Sequence, residues 1–195
     1  MTLSVRFQDA LVWATQLHHG QVRKGCPVPY IAHLLGVTSI ALQYGADEDE
    51  AIAALLHDAV EDQGGEPTLH EIERRFGIKV AEIVLGCTDS ATVPKPPWRQ
   101  RKEAYLAHLP HASPSVRLVS AADKLHNTRA VVSDYRLLGE ALWSRFKGGR
   151  EGTLWYYRAL VAAHRAGGAP SVPLVEELNR VVTELERLAT QEGNA

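Results

Sequence analysis

Cysteine is scarce: Cys26 and Cys87 are the only two in 195 residues, too few for a disulfide framework. There is no N-terminal apolar h-region and no uninterrupted apolar run of about 18 residues, so neither a signal peptide nor a membrane span is expected. A reducing cytoplasm is the expected setting, with no membrane partner. Net charge is nearly absent as well. Against 23 Asp+Glu stand 21 Lys+Arg, and the resulting −2 offers a nucleic-acid polymer no global attraction. Any phosphate site must therefore be a local basic patch. Alternating strand patterns, internal repeats, low-complexity tracts and dividing linkers are missing too. A hydrophobic content of 45% suffices for a core, and residues 1–195 are expected to form one domain. Histidine is plentiful: there are nine, several beside acidic residues, and imidazole both binds metals and moves protons near neutral pH.

Helical spacing runs through the chain. Phe7, Ala10, Leu11, Ala14 and Leu17 make one apolar stripe and predict a helix over 4–19. Gly20 to Pro29 is a loop carrying Arg23 and Lys24, and His33 to Tyr44 reads as the next helix. Asp47 with Glu50, and again Thr68 with Glu71, have the form of capping boxes. The first opens a helix ending near Asp62, and the second a short helix stopped by Gly77. Further helices are expected over 78–87, 98–109, from Ser113 to about Ser133, over 153–166 and over 173–190. Asp89 to Pro97 is a proline-rich loop, and residues 139–152, with four glycines, are expected to be mobile. The fold class is all-α.

His57-Asp58-Ala59-Val60-Glu61-Asp62 lies at the end of an apolar helix. On an unbroken helix His57 stacks over Glu61 and Asp58 over Asp62, gathering an imidazole and three carboxylates. A divalent cation such as Mn²⁺, Fe²⁺ or Zn²⁺ would relieve that repulsion, whereas a solvated acidic helix end is the bland alternative. His33 at a helix start and Asp123 inside an apolar turn are each out of place as core.

In order, these residues read H…HD…D, which resembles the HD superfamily of metal-dependent phosphohydrolases, all-helical with metal bound between helices. The segments His18-His19-Gly20-Gln21-Val22-Arg23-Lys24, Pro29 to His33, His57 to Asp62 and Ala122 to Arg129 resemble the RelA/SpoT-type alarmone hydrolase domain. The similarity runs from about residue 7 to 130, and more weakly through Trp155-Tyr156-Tyr157. Long members continue into a synthetase and regulatory domains, so the expectation is a standalone small hydrolase without synthesis. The resemblance implies hydrolysis of guanosine 3′,5′-bis(diphosphate) and its 5′-triphosphate relative at the 3′ position, releasing pyrophosphate, usually with Mn²⁺. It implies His33, His57, Asp58 and Asp123 as metal ligands, with Glu61 and Asp62 orienting and deprotonating water. Arg23, Lys24, Lys102, Asn127, Arg129 and Tyr156 are the implied contacts to the small-molecule nucleotide.

Val28, Leu34 and Ala130 depart from the family pattern, and two of them, Val28 and Ala130, lie on the expected nucleotide side. A related nucleotide phosphohydrolase, acting on an adenosine alarmone or on the NADPH 2′-phosphate, is the alternative reading. A nucleotide sensor without turnover is a third, disfavoured by the intact Glu61-Asp62 pair. Trp13, Trp98 and Trp143 read as packing residues, and His70, His108, His111 and His164 as surface residues. Arg145, Lys147 and Arg150 read as a solvated basic loop.

Overall fold

The computed structural model describes residues 2–89, 94–168 and 172–192. Its elements are α1 (Val5–Leu17), α2 (Ile31–Gln43), α3 (Glu48–Leu56), α4 (Ala59–Asp62), α5 (Glu66–Phe76), α6 (Ile78–Cys87), α7 (Trp98–His108), α8 (Pro114–Leu138), α9 (Gly149–Ala166) and α10 (Val172–Glu192), with 3-10 turns at Leu109–His111 and Gly139–Arg145. Among the described residues the one extended pairing is an isolated bridge between Val22 and Pro29. The all-α expectation holds.

Two helices carry the architecture. In α3 every residue from Ala51 to Leu56 is buried, because the helix is enclosed by α1, α2, α6 and α8. Helix α8, spanning 25 residues, packs against α2, α3, α6, α9 and α10. Ser113 caps it by accepting the Val116 N–H, and Pro114 occupies the first turn, where its missing N–H costs nothing. Asp47 and Glu50 form the expected reciprocal capping box on α3.

Several expectations are corrected. The helix through His57 and Asp58 is interrupted: α3 stops at Leu56 and α4 restarts at Ala59, with the His57 imidazole bound to the Ala54 carbonyl at 2.8 Å. The second capping box does not form. Gly65 precedes α5, Thr68 Oγ1 donates to the Gln63 carbonyl, and Glu71 pairs with Arg74 and Arg75. Helix α2 starts earlier, at Ile31, and α8 runs on past Ser133 to Leu138. Residues 139–152 fold onto the core rather than forming a free loop, since Leu142 and Trp143 are buried and the Trp143 ring lies 5.3 Å from Tyr135. Of the expected Asp89–Pro97 loop, residues 90–93 lie outside the described residues.

His164, expected at the surface, is fully buried on α9, with Nε2 3.5 Å from Ser120 Oγ. Burial, then the charges of Lys124 and Arg117, push its pKa down from 6.5 to about 3. Below pH 6.5 the unfolded chain takes a proton at this position that the folded chain refuses, so stability falls as pH drops from 6.5 towards 3. The expected loss is about 2 kcal/mol at pH 5 from this group. Thermal melts at pH 7 and pH 5 check it: His164→Gln is expected to lose less stability between the two than the parent chain. Equal losses would exclude His164 as the source.

Candidate functional site

His57 and Asp58 join α3 to α4 with backbone that stays in the right-handed helical region. A carbonyl only accepts, so the contact with Ala54 places a proton on His57 Nδ1 and leaves Nε2 as the nitrogen that faces Asp58 and Asp123. That Nε2 is buried without a hydrogen-bond partner, 3.0 Å from Asp58 Oδ2 and 3.6 Å from Asp123 Oδ1. His33 Nε2, from the first turn of α2, lies 3.6 Å from Asp58 Oδ2 and 3.3 Å from Asp123 Oδ1. Four side chains from three segments thus converge, with the ligating atoms of His33, His57 and Asp58 all within 4.8 Å of one another.

The surroundings orient this cluster. His33 Nδ1 sits 2.9 Å from Nδ1 of His126, whose pKa is pushed down to about 4 by burial and by its cationic and imidazole neighbours. A neutral His126 can accept, so His33 donates through Nδ1 and turns Nε2 towards the carboxylates. Gly36 makes the contact possible, because a Cβ there would lie 2.3 Å from the His126 ring. Tyr30 donates its hydroxyl to Asp58 Oδ2 at 2.5 Å. Lys124 Nζ lies 2.5 Å from Asp123 Oδ2, and Asn127 donates to Oδ1 at 2.6 Å.

Electrostatically the cluster calls for a cation. Burial opposes charge on His57, yet Asp58 and Asp123 outweigh it and raise its pKa well above the ordinary imidazole range. Burial likewise opposes the Asp58 and Asp123 charges, but His57 and His33, and for Asp123 foremost Lys124, hold both carboxyls well below the usual range. Two imidazole nitrogens and two carboxylate oxygens, with one buried nitrogen unpartnered, form a donor set suited to a borderline divalent metal.

Through His33 the cluster borders a cleft of about 770 Å³. Of the residues singled out in the sequence, Glu61, Arg23, Lys24, Lys102, Asn127 and Tyr156 line it. Glu61 pairs with Lys95 at 2.8 Å, and Asp62, at the end of α4, accepts from Gln21 at 2.9 Å. Burial first, then the neighbouring Asp58, raises the Asp62 pKa. Lys102 Nζ lies 2.7 Å from Asp89 and 4.7 Å from the centre of the Tyr156 ring. Arg129 is a correction. It is two residues beyond Asn127, about 200° round the helix, and pairs instead with Glu177 of α10 at 3.2 Å.

Other residues belong to this site although sequence spacing did not single them out. Lys124 and His126 stand inside a segment whose Asp123 and Asn127 were recognised, and only packing reveals that they face the same way. Arg145 and Lys147 line the cleft rather than a solvated loop, whereas Arg150 turns away to the Ala189 carbonyl. Trp98, expected to be packing, also walls the cleft and sits edge-on to Tyr156 at 6.3 Å. A Cβ on Gly148 would approach its ring to 2.6 Å, so α9 can seat Trp98 only with glycine there.

Comparison with known proteins agrees with this geometry. The chain is 44% identical over 124 residues to guanosine-3′,5′-bis(diphosphate) 3′-pyrophosphohydrolase MESH1 of Xenopus tropicalis, covering 62% of this chain and 66% of that protein, just short of two thirds. It is 31% identical over 189 residues to the bifunctional (p)ppGpp synthase/hydrolase SpoT of Escherichia coli, covering 94% of this chain and 23% of that one. Among solved structures, a metazoan ortholog of SpoT that hydrolyzes ppGpp superposes with a TM-score of 0.78 at 25% identity, covering 94% of this chain and 97% of the other. An HD domain implies a divalent metal, and the His and Asp donors described above fit one. The HD domain signature spans residues 10–154, from α1 into α9 and through every residue of the cluster, and the chain belongs to the HD domain family.

Proposed function

We propose that this chain is a divalent-metal-dependent phosphohydrolase that removes the 3′-pyrophosphate from guanosine 3′,5′-bis(diphosphate) and its 5′-triphosphate relative. The observation that carries the reading is that the His/Asp cluster, through His33, adjoins one cleft lined also by Glu61 and by a set of cations that includes Arg23, Lys24, Lys102 and Lys124. The similarity to MESH1 and SpoT, both named for hydrolysis of this nucleotide, supports the same substrate. Among the described residues no helix is long and apolar enough to cross a membrane. Cys26 and Cys87 are free thiols, which suits the cytoplasm this reading places it in.

In this reading His33, His57, Asp58 and Asp123 hold the metal, Mn²⁺, which when bound supplies positive charge to the phosphoryl oxygens and acidifies water. Glu61 and Asp62 orient the attacking water and accept its proton. The water oxygen bonds to the phosphorus attached to O3′, the P–O3′ bond breaks, and O3′ leaves with a proton. The products are pyrophosphate and the nucleoside 5′-diphosphate, or the 5′-triphosphate from the triphosphate relative. Arg23, Lys24, Lys102 and Lys124 bind the phosphates, Asn127 meets the ribose-phosphate region, and Tyr156 walls the base side.

The direct test incubates the purified chain and Mn²⁺ with guanosine alarmones, adenosine alarmones and NADPH, then identifies products. Pyrophosphate from the guanosine compounds is expected. Turnover confined to NADPH or adenosine compounds redirects the substrate, and binding without any turnover makes the chain a sensor.

Two cleft cations are expected to fail differently when replaced. Arg23 donates to Asn127 at 2.9 Å, and its guanidinium lies 6.0 Å from the centre of the Tyr30 ring, so it is placed to stack as well as to pair. Arg23→Lys is expected to weaken discrimination between guanosine and adenosine substrates. Lys102→Ala is expected to raise KM roughly tenfold for both, as the loss of a charge-assisted hydrogen bond does. The Lys102 side chain is only 16% exposed, so that penalty is expected to persist at high salt rather than being screened away. Kinetics on both nucleotides at two ionic strengths check both statements.

A further inference from the structure

His18, the residue capping the end of α1, is 4% exposed and its ring stacks on Tyr30 at 5.2 Å with planes 19° apart. Its Nδ1 lies 2.8 Å from Gln21 Oε1. The same Oε1 accepts from Gln63 Nε2, and Gln21 Nε2 donates to Asp62 Oδ2 at 2.9 Å. This arrangement admits one orientation of the Gln21 carboxamide. Turned over, it would press its NH₂ against two N–H donors and its oxygen against a carboxylate. The tautomer of His18 follows by the same reasoning. Its Nε2 is buried with no partner, and a bare lone pair there costs less than an orphaned N–H, so the proton sits on Nδ1 and points at Gln21.

We infer that Gln21, locked by His18 and Gln63, is a positioning residue for the hydrolytic reaction: it holds one oxygen of Asp62 and so presents the other to the attacking water. The inference rests on the hydrolase reading above. Asp62 stands at the last residue of the four-residue α4, where a short helix alone gives its side chain little restraint. Gln21 supplies the restraint from a different segment. The loop that carries it is pinned across its base, since Tyr30 N–H donates to the Gln21 carbonyl at 2.9 Å and Arg23 N–H to that of Val28 at 2.8 Å. Tyr30 thus couples the two carboxylates, hydrogen-bonding Asp58 at 2.5 Å while its ring braces His18.

Variants of the full chain, assayed with Mn²⁺, test this. Gln21→Leu keeps the bulk and removes the amide, and is expected to lower kcat by about 10- to 100-fold while KM and Mn²⁺ affinity stay close to the parent values. His18→Phe keeps the ring against Tyr30 but removes the donor, and is expected to lower kcat in the same way. His18→Asn places an amide nitrogen where Nδ1 was and is expected to restore most of the rate. In an Asp62→Asn background, Gln21→Leu is expected to have no further effect, whereas a merely structural role would lower the rate there too. The Gln21 side-chain amide protons, followed by NMR, give a readout independent of turnover: slowed exchange in the parent chain, lost in Asp62→Ala. Parent turnover with unchanged kcat in Gln21→Leu overturns the positioning role alone. Absence of any parent turnover overturns the hydrolase reading and the role with it, and protected amide protons would then establish the Gln21–Asp62 contact by itself.

Discussion

Replacing His57 by alanine is expected to reduce turnover below detection and to remove bound metal, because the change deletes a nitrogen that the backbone has already aimed. The His57 ring commits its Nδ1 proton to the Ala54 carbonyl, which leaves Nε2 directed at the Asp58 and Asp123 carboxylates. Loss of one of the four proposed protein ligands is expected to lower metal affinity outright. Asp123 is expected to be as necessary but needs a gentler substitution. Asp123→Ala would strand the Lys124 cation, whose pKa is raised well above the ordinary range chiefly by Asp123 against the opposing effect of burial. An uncompensated buried charge costs about 3–5 kcal/mol, enough to confuse lost function with lost fold. Asp123→Asn removes the same charge but keeps the volume and an amide oxygen that can still accept from Lys124, so it is the gentler variant, and its melting temperature is read beside its metal content. Metal content and rate, measured with and without strong chelator, check the pair. Full activity in chelator would sink the metal assignment. His70→Ala, at an exposed position, is the control; the buried His164 is not one.

Glu61→Gln is expected to lower kcat by about 10²-fold or more while leaving metal content and KM near the parent values, since it preserves shape and hydrogen bonding and removes only the base. The structure adds a side effect to account for. Glu61 is paired with Lys95 at 2.8 Å, and the two side chains are 22% and 39% exposed. A pair this open contributes at most about 1 kcal/mol, so the variant is expected to fold normally and its melting temperature to move little. The decisive measurement is rate at saturating metal and substrate. If Glu61→Gln loses metal yet keeps its kcat once metal is saturating, Glu61 is a ligand and its assignment as base is wrong.

Much of this protein was legible before any coordinates. Periodic apolar residues marked the helices, because an amphipathic face has to recur every 3.6 residues whatever it packs against. Asp47 with Glu50, and Ser113 before Pro114, marked helix starts through bonds made within one turn. The ligand candidates His33, His57, Asp58 and Asp123 were visible as polar residues embedded in apolar helices, a placement that local structure alone does not reward. Where local signals competed, tertiary contacts decided. The apolar run into Asp62 reads as one helix, yet it is interrupted at His57-Asp58, where the His57 ring bonds the Ala54 carbonyl. Thr68 and Glu71 match a capping box by spacing, but Thr68 is bonded back to Gln63.

Side-chain direction on a long helix is the other thing sequence left open. Arg129 shares a motif with Asn127, and only the position of α10 decides that it meets Glu177 outside the cleft. Arg145 and Lys147 look like a solvated loop until Leu142 and Trp143 anchor that segment beside α8. His164 stands three and four residues after Val161 and Leu160, on the apolar face of α9, a helical signal of burial that its polar ring masked. By itself the sequence determined the helices, the ligand types and the order in which they occur, since each depends on contacts within a few residues. Which side chains share one cavity was decided by the tertiary structure. Distance between them is set by how α2, α3 and α8 cross, and no residue's near neighbours encode that crossing.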